Sequence, residues 1–235
     1  MKDNREFRSF IILENSYPIG TELIKLTQSK EAFEYNNEKV IVQSHSEDDL
    51  EDFLDYEFLW ETKREITSES LDADTGEVLY EIDYIKKVAQ ISVWISNDSP
   101  YFVVFLKGIA ANKVINLLRD YFECPTLHRI AFKDDFFNML LNSNLPINVL
   151  QTTIKSASTE QEFSISGLLN KNNYSLNDGY ITEIQIEVPS IMIKAKLSNL
   201  GRVALYNAPH KESVIEFTKI LGDILVQIEK MRRNY

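Results

Sequence analysis

The sequence predicts an α+β protein, an antiparallel β-sheet with helices packed on one face. Three observations carry that expectation. Short runs of alternating apolar and polar residues recur between turn-forming clusters, as antiparallel strands require. Two stretches, residues 111–122 and 214–228, place apolar side chains at the helical spacing i, i+3, i+4 and i+7. The 235-residue chain is 44% hydrophobic and 26% charged, a composition that builds a core.

Taken in order, residues 7–13 are an apolar run expected as a buried strand, closed by the turn-prone Asn15, Ser16, Pro18 and Gly20. Residues 22–33 read as a short helix and 40–43 as a short strand. Ser44 or Ser46 is then placed to cap a helix whose first turn holds Glu47, Asp48 and Asp49, carboxylates that offset the positive end of the helix dipole. Leu50, Phe53, Leu54 and Phe58 give that helix an apolar stripe. From Tyr56 the reading divides, because Tyr56, Phe58 and Trp60 alternate with Glu57, Leu59 and Glu61 as a strand would. Residues 66–71 and 78–85 flank a hairpin connection at 72–76, with Gly76 at its end. Residues 88–96, a turn at 97–100 and residues 101–106 complete an antiparallel meander.

A helix is expected over 111–122, where Ala111, Val114, Ile115, Leu118, Tyr121 and Phe122 share one face and Pro125 stops the element. Residues 127–132 read as a strand, and 134–141 as a helix with Asp134 and Asp135 in its first turn. Residues 152–163 are polar and aperiodic, so a linker or long loop is expected there. Residues 180–188 and 191–197 alternate on either side of Pro189, and a tight turn at 198–201 leads into a strand at 202–206. Pro209 precedes the strongest helix, whose Val214, Phe217, Ile220, Leu221, Ile224, Leu225 and Ile228 line one broad face.

Residues 88–122 and 191–228 both run strand, turn, strand, helix, a pseudo-repeat of pattern with negligible residue identity. Two subdomains are expected: an acidic α+β part over 1–145 and a hairpin-plus-long-helix part over 146–235, the alternative being one continuous domain.

Charge is sorted along the chain. Residues 1–85 hold 8 Lys/Arg against 22 Asp/Glu, residues 86–185 hold 9 of each, and residues 186–235 hold 8 against 5. Within 47–83, 15 carboxylates face only Lys63 and Arg64. This asymmetry favours a non-enzymatic interaction or accessory protein whose acidic amino-terminal region binds a basic protein partner. Asp48, Asp49, Asp52 and Asp55 are the expected contact acids, with Phe58 and Trp60 as aromatic anchors if exposed. The alternative is a nucleic-acid-binding module using the carboxyl-terminal sheet, where Lys194 and Lys196 project from one face near Arg202 and Lys211. The competing reading of those lysines is a guarded edge strand. A hydrolase or nuclease assembled from dispersed acids is a third reading.

No catalytic residue, metal site or cofactor is assigned. Asp72, Asp74 and Glu77 alternate as calcium ligands do, but the spacing lacks the remaining ligands of an EF-hand loop. His45, His128 and His210 are far apart, and Cys124 is the only cysteine, so neither a zinc site nor an intramolecular disulfide is expected. No phosphate-binding glycine loop or nucleophile-elbow motif occurs. The first residues carry charge where a secretory leader needs an apolar stretch, and no apolar run approaches membrane-spanning length. A cytoplasmic location and no membrane association are the corresponding expectations.

Overall fold

A computed structural model describes residues 7–15, 27, 31–44, 53–72, 74–96, 100–105, 110–122, 126–142, 146–166, 179–206 and 209–233. In chain order the elements are β1 (Ser9–Glu14), β2 (Phe33–Tyr35), β3 (Glu38–Ser44), β4 (Phe53–Leu71), β5 (Val78–Ser96), β6 (Tyr101–Phe105) and α1 (Ala110–Asp120). They continue with β7 (His128–Arg129), α2 (Asp134–Asn142), β8 (Asn148–Ser156), β9 (Glu162–Ser166), β10 (Gly179–Val188), β11 (Ile193–Ser198), β12 (Arg202–Tyr206) and α3 (Lys211–Arg233). The architecture is α+β and dominated by antiparallel sheet. The chain forms two compact units, one from Met1–Tyr17, Asp98–Leu106 and Thr126–Tyr235, the other from Pro18–Asn97 and Lys107–Pro125.

In the first unit the strands run β6-β1-β12-β11-β10-β8-β9, with β7 paired to β1. Period-two alternation sorts the two faces of β10, β11 and β12. Ile184 opposes Leu197, Ile186 opposes Ala195, and Val188 opposes Ile193, all of them fully buried. Val203 and Leu205 extend that apolar face on β12. The helix α3 buries Val214, Phe217, Leu221, Ile224, Leu225 and Ile228, and it packs on β11. At about 1.5–3 kcal/mol per large apolar side chain, this layer is a main source of the unit's stability.

The helix α2 adds a stacked ring pair, Phe132 on Phe136 at 4.2 Å between centroids. Its first turn is fastened twice: the Ile181 N–H donates to Asp134 Oδ1 at 3.2 Å, and Arg232 Nη2 donates to Asp135 Oδ2 at 2.5 Å. Gly201 closes the β11–β12 turn with φ +73°, and a Cβ there would lie 1.7 Å from the Ile130 carbonyl oxygen. Only glycine meets both conditions.

The second unit is the sheet β2-β3-β4-β5 with α1 packed on β5. Val40 opposes Trp60 and Val42 opposes Phe58, and these four side chains are buried together with Ile91 and Val93 of β5. Ala111, Val114, Leu117 and Leu118 supply the helical side of this core.

Several expectations are corrected. The helix expected around 47–58 does not extend over residues 53–58, which belong to β4; its beginning at 45–52 lies outside the described residues. Pairing with β3 settles the choice, because residues 56, 58 and 60 all meet partners there. The linker expected over 152–163 is a β-hairpin of β8 and β9. Its sequence shows no burial period because, after the buried Thr152, the end of β8 is only half-buried and the turn and the start of β9 are exposed. The strand expected over 127–132 reduces to His128–Arg129. Phe33 begins β2 rather than ending a helix, and most of that expected helix lies outside the described residues. The first stretch of the pseudo-repeat is divided, since β6 belongs to one unit and β5 and α1 to the other.

Candidate partner-binding site

The β4–β5 hairpin is the feature on which a site can be built. Each strand is 19 residues long, and the register is continuous from Phe53 opposite Ser96 to Leu71 opposite Val78. Pairing of β4 with β3 ends at Trp60. Beyond it, the ten pairs from Thr62–Lys87 to Leu71–Val78 form a two-stranded arm about 33 Å long.

The root of the arm is held by an aromatic and ionic cluster. Trp60 is fully buried, and its Nε1–H donates to Glu38 Oε2 at 2.6 Å. Lys113 of α1 donates to the same carboxylate at 2.5 and 2.6 Å and sits 5.8 Å from the centre of the Trp60 ring. Tyr35 meets Trp60 edge-on, and its hydroxyl donates to Asp120 Oδ2 at 2.7 Å. Burial and the Asp120 carboxylate raise the Tyr35 pKa, so the hydroxyl keeps its proton.

The tip is a self-contained turn. Asp72 Oδ1 accepts from the Asp74 and Thr75 N–H groups at 2.8 and 3.1 Å, which lowers the Asp72 pKa. The Gly76 N–H donates to the Asp72 carbonyl at 2.9 Å, with Gly76 at φ +71°. This is the hairpin connection expected at 72–76. It satisfies the Asp72 carboxylate with backbone donors, a structural role distinct from calcium ligation.

Between root and tip, charge divides sharply. Residues 65–85 carry seven carboxylates and no lysine or arginine, whereas Lys63, Arg64, Lys86 and Lys87 gather at the root. Lys86 Nζ lies 3.1 Å from Glu61 Oε1. Large apolar side chains stay in water along the same stretch: Tyr80 is 65% exposed, Ile82 58% and Tyr84 59%. They share one face with Glu69, Thr67 and Glu65, the residues opposite them on β4. A two-stranded ribbon offers such a row of exposed apolar side chains no second layer of its own to pack against.

The expected contact residues fall elsewhere. Asp48, Asp49 and Asp52 lie outside the described residues. Asp55 is buried, with its Oδ1 accepting from Trp94 Nε1–H at 3.1 Å. Phe58 and Trp60 are fully buried, so the expectation of exposed aromatic anchors is corrected: they are core residues. Tyr80, Ile82 and Tyr84 were missed. Their signal was present in the partner strand, because residues 62–70 contain a single apolar residue, Ile66, and offer no second layer.

In the carboxyl-terminal sheet, Lys194 and Lys196 do share a face, but each meets a carboxylate of β10. Lys194 Nζ is 3.1 Å from Glu187 Oε1, and Lys196 Nζ is 2.6 Å from Glu183 Oε2. The Lys194 hydrogen bond, with a second from Asn148, lowers the Glu187 pKa and favours its carboxylate form. Arg202 is exposed on β12, and Lys211 begins α3. Burial and the charge of Arg202 lower the Arg129 pKa. Among the described residues no group of three or more His, Cys, Asp or Glu is placed to hold a metal ion. No helix among them is long and apolar enough to cross a membrane. No protein-family model matches the chain, and no curated protein matches its sequence.

Proposed function

We propose that the chain is a binding module, without catalysis of its own, whose acidic amino-terminal region engages a basic macromolecular partner. The observation that carries this reading is the distal arm, where seven carboxylates without a cation surround exposed tyrosine and isoleucine side chains. The carboxylates steer a positive surface toward the arm, and apolar contact then slows its release. The lysines of the carboxyl-terminal sheet favour this reading over nucleic-acid binding, because their charge is balanced by Glu183 and Glu187.

The test is capture of basic proteins from the native extract with the intact chain, read against ionic strength. Raising salt from about 50 to 300 mM should release the partner, because the Debye length shrinks across that range. Reversing Glu65, Glu69 and Glu81 to lysine should abolish capture and leave the circular dichroism melt unchanged. Capture that is indifferent to both treatments would remove this function.

A further inference from the structure

We infer that the outer edge of β5 is a template for strand addition, and that its occupant is an extended segment of the partner alternating lysine or arginine with apolar residues. This deepens the acidic-arm reading and rests on it. The backbone supplies the first argument. In an antiparallel ladder, alternate residues turn their N–H and C=O groups toward the neighbouring strand and away from it. The Tyr84 N–H donates to the Asp83 carboxylate at 2.7 Å, so it is turned away from β4. Alternation gives Val78, Tyr80 and Ile82 the same outward direction. Among the described residues, the pairs that β5 makes along 78–87 are with β4 alone.

Natural edge strands are blunted by proline, bulges or charged side chains, lysine above all. Residues 78–85 contain no proline or lysine, the register beside them is unbroken, and their two charges, Glu81 and Asp83, repel another acidic strand but attract a basic one. Such an edge accepts a new strand through main-chain hydrogen bonds, with side chains selecting which strand.

The side chains then specify the occupant. Tyr80, Ile82 and Tyr84 project to one face, whereas Glu81 and Asp83 project to the other. A strand laid beside β5 has the same period of two. Its apolar residues would meet the tyrosine–isoleucine row while its cations meet Glu81 and Asp83. A second copy of the arm fits poorly, since its acids would oppose these acids. Nucleic acid is repelled by the same charge.

The probe is a capped octapeptide alternating lysine and valine, titrated against the full chain. Its controls are the same peptide N-methylated at alternate residues and a block isomer with four lysines followed by four valines. The alternating peptide should bind at least about tenfold more tightly than either control, from the loss of several main-chain hydrogen bonds and of side-chain matching. It should also slow hydrogen exchange at the Tyr80, Ile82 and Tyr84 amides. Ile82→Lys should weaken binding by a similar factor without altering the fold, because Ile82 is exposed.

Equal binding of the N-methylated peptide would overturn strand addition and leave the acidic-arm reading intact. Failure of all three peptides to bind, or binding unmoved by salt, would overturn both. A concentration-dependent dimer abolished by Ile82→Lys would instead assign the edge to a second copy and overturn the proposed occupant.

Discussion

At the scale of single residues, Trp60 holds a position that neither its size nor its polarity explains alone. Its ring is fully buried at the root of the arm, and its Nε1–H reaches Glu38, which Lys113 also engages. Trp60→Phe should cost about 1–3 kcal/mol in chemical denaturation, because Glu38 loses a donor and the smaller ring leaves a void. Thr152 presents the opposite case. It is fully buried on β8, and among the described residues its Oγ1 has no hydrogen-bond partner. Thr152→Val keeps the shape and removes the unsatisfied hydroxyl, so it should raise stability by about 1 kcal/mol, read as a higher denaturant midpoint. Neither role was legible in the sequence. Trp60 sits between Leu59 and Glu61, a context that suits a surface anchor equally well, and only pairing with Val40 places it inside.

Among the elements, legibility followed burial. The helix α3 was readable because its apolar face recurs along its whole length, and β10 and β11 because one of their faces is buried and the other is not. The hairpin of β8 and β9 looked like a linker because its outer strand buries nothing. The segment 53–58 was misread because both of its faces are largely covered, which erases the period that tells strand from helix. The hairpin is legible from residue 66 onward, whereas the start of β4 at Phe53 is hidden inside that ambiguity. Since the outer arm is exposed, it should contribute little to folding. Replacing residues 67–82 with Asn-Gly, between the opposed Ile66 and Asp83, should shift Tm by no more than about 4 °C while abolishing partner capture. A larger fall in Tm would give the arm a structural duty that its exposure argues against.

For the molecule as a whole, alkaline stability is set by tyrosines held in their neutral form. Burial, with Glu14 and Glu229 adding to it, raises the Tyr101 pKa to about 12, while Arg233 opposes the shift. Burial also raises Tyr56. A folded pKa above the unfolded one, near 10, means that the native state holds the proton more tightly. That stability is complete below pH about 10 and is lost as the pH climbs through the folded value. Denaturant midpoints should therefore fall between about pH 10 and 12, and Tyr101→Phe should flatten the fall. The assembly of the first unit from three separate stretches of chain escaped the sequence because it depends on pairings between distant residues, such as Phe10 with Phe105 on one side and with Val203 on the other. The concentration of acidity before residue 86 was legible, although which acids face water required the coordinates.

The length of the arm has one last consequence. Among the described residues, Asp74 and Thr75 at the exposed turn offer a protease an accessible site. The two fragments would not separate, because the pairs from Phe53–Ser96 to Trp60–Ala89 stitch them together within the core of their unit. Cleavage at one recognition site for a sequence-specific protease, inserted between Asp74 and Thr75, should yield two bands on a denaturing gel and a single peak on a native sizing column.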